Sequence, residues 1–200
     1  MLSKKSWICC LVACIAICGC GMLKDVSYFT PAQQENIRVA SGIRGLPEIA
    51  RLQLSKEVEL FLIVFDQPQH SIVRIIIHLH SGQIARFDNA RILATSSGGG
   101  QAIVGEIGQI EANYIVNGQG HTVYLTANDD LIGDTYEYKK GSGGTERVAR
   151  RFMMDVVFPN PLPDRFLLGL PTLTLSGKTI LSPALEFRRK VGSAYQGSLP

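Results

Sequence analysis

The feature that most constrains the fold is alternation. From Ser55 onward, apolar and polar residues exchange places with a period of two. Glu57 to Phe65 sets Val58, Leu60, Leu62 and Val64 on one face. Ile72 to His80 sets Val73, Ile75, Ile77 and Leu79 on one face and Ile72, Arg74, Ile76, His78 and His80 on the other. Successive strand side chains point to opposite sides, so each run reads as a strand with one buried face. A helix would scatter the same residues around its axis. Ile84 to Ala94 continues the pattern, with Ala85 and Phe87 inward and Arg86 and Asp88 outward. Asp66-Gln67-Pro68-Gln69 and Ser81-Gly82-Gln83 are turn sequences, so these runs predict an antiparallel meander.

Further strands are expected at 102–106, 110–116, 121–127, 135–138, 150–158, 165–170, 172–175 and 185–189. Between them lie Asn117-Gly118-Gln119-Gly120, Asn128-Asp129-Asp130, Gly141 to Gly144, Pro159-Asn160-Pro161, Ser176-Gly177 and Ser182-Pro183. Pro171 and Pro183 confine the strands they border to edges or ends. Many short strands with regular turns predict an all-β domain over residues 30–190, an antiparallel β-sandwich of Ig-like or barrel-like form. Two short helices are expected before it. One starts at Thr30-Pro31, with Thr30 as N-cap, and the other runs from Leu46 to Leu52. Residues 191–200 read as a disordered tail.

The five cysteines are Cys9, Cys10, Cys14, Cys18 and Cys20, so the remaining 180 residues carry none. That excludes a disulfide framework, a thiolate zinc site and a cysteine nucleophile in the body. Lys4 and Lys5 precede an uncharged run from Trp7 to Cys18. Twelve helical residues span about 18 Å, short of the roughly 30 Å hydrocarbon core. The run has the length of a signal-peptide apolar region.

Ile17-Cys18-Gly19-Cys20, closing that run, resembles the lipobox of bacterial lipoproteins. Cys18 departs mildly from the usual Ala, Ser or Thr. The resemblance implies a signal peptide over 1–19 and diacylglyceryl transfer to the Cys20 sulfur. Cleavage before Cys20 and acylation, with palmitate for example, of the new amino group would follow. Leu11-Val12-Ala13-Cys14 fits the pattern too, so Cys14 is the alternative, with a much shorter apolar region. Two or more acyl chains anchor a protein stably where one does not. The implied mature protein is a soluble body on a tether, residues 20–29, held at a membrane. Gly21, rather than Asp, follows Cys20, which implies the outer membrane, facing the periplasm or the surface, in a two-membrane cell. Beyond this lipid no cofactor is expected.

Losing Lys4 and Lys5 lowers the basic count from 20 to 18 against 17 acidic residues, so the mature chain is near +1. That charge does not support nucleic-acid binding. His78 and His80 share a strand face and are weak metal candidates, but nothing in the pattern brings His70, His121 or a carboxylate to them. Asn128, Asp129, Asp130 and Asp134 lack calcium-loop spacing and read as a turn. Ser97 to Gly100 and Ser142 to Gly144 lead into strands, unlike phosphate-binding loops. No Gly-x-Ser-x-Gly elbow occurs, and Glu57 and Glu59 read as solubilising charges on one face. Arg147, Arg150, Arg151, Arg188, Arg189 and Lys190 are expected to protect strand edges, the alternative being that they meet anionic head groups or an acidic partner. The resulting expectation is a non-enzymatic envelope lipoprotein that binds a protein partner. The alternative is a periplasmic module binding a small ligand or metal through His78 and His80.

Overall fold

A computed structural model describes residues 23–42, 44–116, 119–139 and 145–195. All its regular elements are strands: β1 (Leu23–Pro31), β2 (Ile37–Ala40), β3 (Ile49–Ser55), β4 (Val58–Asp66), β5 (Ser71–Leu79), β6 (Ile84–Phe87), β7 (Arg91–Ser96), β8 (Ile103–Val116), β9 (Gln119–Leu125), β10 (Leu131–Ile132), β11 (Thr135–Lys139), β12 (Thr145–Phe158), β13 (Arg165–Gly169), β14 (Leu173–Leu175), β15 (Lys178–Ile180) and β16 (Leu185–Tyr195).

The large sheet runs β1-β16-β13-β7-β8-β12-β5-β4-β3-β2, with β9 added to β8 and β11 to β12. Every pairing is antiparallel. The sheet curls until β1 packs against β3 and β4, so it is barrel-like and nearly closed. The inward rows of β4 and β5 are those the alternation marks: Val58, Leu60, Leu62, Val64, Val73, Ile75, Ile77 and Leu79 are all 2% exposed or less.

The barrel has two distinct ends. The near end carries the 67–70 turn, the 97–102 and 159–164 loops and the first residues of β1. An aromatic cluster packs beneath those loops. Phe166 meets Phe29 edge-on at 5.3 Å and stacks on Phe187 at 5.4 Å, and all three are fully buried. Such pairs contribute about 1 kcal/mol each beyond their burial. The far end is closed by a second sheet, β10-β6-β14-β15, whose Ala85, Phe87, Leu131, Leu173 and Leu175 join the main core. The β8–β9 and β11–β12 hairpins also lie toward this end.

Three expectations are corrected. Neither predicted helix forms: Thr30 and Pro31 end strand β1, and Ile49 to Leu52 begins β3. Tyr28 to Pro31 are buried on both faces, so that run shows no alternation. In β3 the alternation is present but short, with Ala50 and Leu52 inward and Arg51 and Gln53 outward. The expected tether is strand from Leu23 onward, paired residue for residue with β16. The expected tail is strand as far as Tyr195, and 196–200 lie outside the described residues.

Candidate functional site: the outer face of β2 to β5 and β12

Antiparallel register places outward side chains in rows across the sheet. One row runs Arg38, Arg51, Phe61, Ile76, Met153, Glu111. The next runs Gln53, Glu59, His78, Arg151, Asn113. On the other side lie Ile49, Ile63, Arg74 and Asp155, then Phe65, Ile72 and Val157. This outer face is therefore apolar in the middle and studded with charge. Arg74 forks onto Asp155 through two hydrogen bonds of 2.7 Å, and its guanidinium lies 5.4 Å from the Phe65 ring centre.

At the β2 side the face dips into a cleft of about 220 Å³ lined by Glu35, Asn36, Arg38, Arg51, Gln53 and Glu59. Arg51 donates to Glu59, which raises the guanidinium pKa, and it lies 5.6 Å from the Phe61 ring centre. Arg38 stands directly opposite Arg51. Like charges in that position repel. Arg38 makes no ion pair among the described residues. The cleft thus presents two guanidiniums, two amides and two carboxylates, of which Arg51 and Glu59 are paired with each other.

His78 packs against Phe61, with ring centres 4.9 Å apart. Burial is the main cause that lowers its pKa, helped by Arg151, His80 and Arg51 and opposed by Glu59. The weak metal pair is not assembled. His80 meets the Thr135 hydroxyl at 3.3 Å, while His70 sits in the near-end turn and His121 on β9. Among the described residues no three His, Cys, Asp or Glu side chains gather as a metal site.

The other candidates turn inward on the chain itself. Asp129 accepts from the Thr126 amide and hydroxyl at 2.7 and 2.8 Å, which lowers its pKa and makes a capped turn. Asp134 accepts from Arg150 at 3.0 Å and from the Thr135 amide at 2.8 Å. Ser97 to Gly100 is a turn with positive φ at Gly99 and Gly100. Ser142 to Gly144 lie outside the described residues. Glu59 is engaged by Arg51, and Glu57 is exposed beside Ser55.

The edge-protection reading fails for Arg150, Arg151 and Arg188. Arg150 and Arg151 sit on β12 where it pairs with β5, and Arg188 on β16 between β1 and β13, whereas Arg189 and Lys190 lie where β16 runs past β13 and pairs with β1 alone. Arg188 and Arg165 both donate to Glu186 and hold its carboxyl below the usual range. The side chain of Arg147 lies outside the described residues. The sequence pattern does not mark the cleft, because it depends on the β2–β3 register and the four residues of β2 are too short a run for alternation to stand out.

No family model matches the chain, and no curated protein or solved structure does either.

Proposed function

We propose that this is a membrane-tethered envelope lipoprotein whose β-barrel-like body acts as a non-enzymatic binding or accessory component of an envelope assembly. The carrying observation is the N-terminal order: Lys4-Lys5, an uncharged run, Ile17-Cys18-Gly19-Cys20, and then a folded strand from Leu23. Lipid on Cys20 supplies location, and Gly21 favours the outer membrane. The outer face of β2 to β5 and β12 supplies a surface of mixed apolar and charged character, as binding faces commonly have.

Metabolic labelling with an alkyne fatty acid tests the anchor. The wild-type chain takes the label and Cys20→Ser does not. Label retained by Cys20→Ser and lost by Cys14→Ser would move the anchor to the alternative cysteine. No label on the wild type would refute the reading.

A second reading, a small-ligand module, draws its support from the Arg38 cleft rather than from His78 and His80. Calorimetric titration of the purified body with small carboxylates and sugars tests it. Heat that disappears in Arg38→Ala would favour it over a purely protein-binding role.

A further inference from the structure

Resting on the lipoprotein reading, we infer that the body does not swing on a leash but stands on the bilayer headgroup surface in a set orientation, through the tip of the β1–β16 ribbon. Only Gly21 and Met22 separate Cys20 from Leu23, where β1 begins. Three Cα-to-Cα steps reach about 11 Å at full extension. The Leu23 Cα therefore lies within that distance of the Cys20 Cα, whose side chain would carry the lipid.

The ribbon that starts there is built stiffly. β13 pairs with β16 only from Leu185 to Arg188, whereas β1 pairs with it as far as Tyr195. Residues 189–195 of β16 therefore run past β13, roughly 20 Å at strand rise. A bare two-stranded ribbon is marginal in water. This one is braced by the loop between β2 and β3. Leu46 packs with Tyr28, Val26 and Ala194, and it comes so close that a Cβ on Gly192 would lie 3.2 Å from its Cδ2. On the other face Ser193 donates to Asp25 at 2.9 Å, and Val191 is 71% exposed. The exposed Lys24 and Lys190 share one face and make no ion pair among the described residues. Cations so placed suit anionic headgroups.

Strand direction then decides what points away. Leu23 is at the near end, and β8 runs from the near end toward the far end. The β8–β9 hairpin is thus presented away from the membrane. β9 carries no Lys, Arg, Asp, Glu or Pro, pairs only with β8 among the described residues, and leaves Val123 and Tyr124 40% and 57% exposed on opposite faces. β9 is thus an edge strand without charged side chains, on the side of the body away from the membrane.

The test uses the full-length chain, purified lipidated and reconstituted in vesicles of phosphatidylethanolamine and phosphatidylglycerol. Because the body has no cysteine after Cys20, Val191→Cys and Thr122→Cys each accept a single fluorophore. Both positions are exposed, so folding is preserved, and Ser193→Cys duplicates the first. With quencher-bearing headgroups, the label at 191 is expected to lose most of its emission and the label at 122 to keep it. Equal quenching at both sites, or stronger quenching at 122, would overturn the orientation. Flotation separates the two claims: vesicles that carry the protein but quench both labels equally defeat the orientation alone. Protein that fails to float with the vesicles defeats the anchor and the orientation with it.

Discussion

The Arg189 guanidinium carbon lies 4.6 Å from the centre of the Phe29 ring. It joins β16 to β1 at the near end of the barrel, and the same head group reaches further. It donates to Asp66 at the end of β4, to Asp164 at 2.7 Å and to the Leu162 carbonyl at 3.1 Å. Burial lowers its pKa, but a guanidinium stays charged at any physiological pH. One side chain thus holds the barrel seam and the 159–164 loop together. Arg189→Ala is expected to lose about 2–3 kcal/mol, since two carboxylates lose a charged donor. Arg189→Lys should recover only part of this, because an ammonium cannot fork. Urea unfolding midpoints at unchanged slope measure both.

His78 gives a pH dependence of known sign. Its folded pKa is depressed below the ordinary value of about 6.5, chiefly by burial. As pH falls through that value, the unfolded chain takes up the proton first. The stability that neutral His78 contributes is therefore complete above about pH 6.5 and lost as pH falls toward the folded pKa. His78→Phe should be less destabilised than the wild type on moving from about pH 7.5 to about pH 5. Parallel slopes for the two proteins would mean that His78 is not the titrating group.

Two glycines of β8 should answer differently to one added methyl. A Cβ on Gly105 would lie 2.7 Å from Val156 Cγ1 and 3.0 Å from the Phe158 ring, whereas one on Gly108 meets nothing within 4 Å. Overpacking a tight core costs about 1–3 kcal/mol. Gly105→Ala is expected to fall in that range and Gly108→Ala to be neutral or slightly stabilising, as thermal unfolding of the pair would show.

The legible part of the fold was the part with one wet face. Strands β4 and β5 alternate cleanly because their outward residues face solvent, and their inward rows are those the alternation marks. Ala85 and Phe87 inward and Arg86 outward were equally readable. β1 was not, because Tyr28 to Pro31 are covered from both sides and Pro31 mimics a helix start. The alternation marks β7, β8 and β12 only in part. The Asp88–Ala90 turn divides one expected strand, while β8 runs unbroken past Gly108. The cleft depends on cross-strand neighbours 13 residues apart, Arg38 and Arg51, a relation that no local pattern encodes.

That juxtaposition makes its own prediction. A guanidinium held opposite another without a partner adds repulsion, not stability. Arg38→Ala should leave the unfolding midpoint unchanged or slightly raised, within about 0.5 kcal/mol. A loss well above that range would show that Arg38 supports the fold and would remove it as a candidate ligand contact.

The membrane anchor is the claim on which location, orientation and partner exposure all depend, and intact-mass spectrometry of the protein purified from membranes tests it most directly. The expected species begins at Cys20, lacks Met1 to Gly19, and carries the added mass of a diacylglyceryl group with or without an amide-linked acyl chain. A chain that retains residues 1–19, or one cut elsewhere and bearing no lipid, would contradict it.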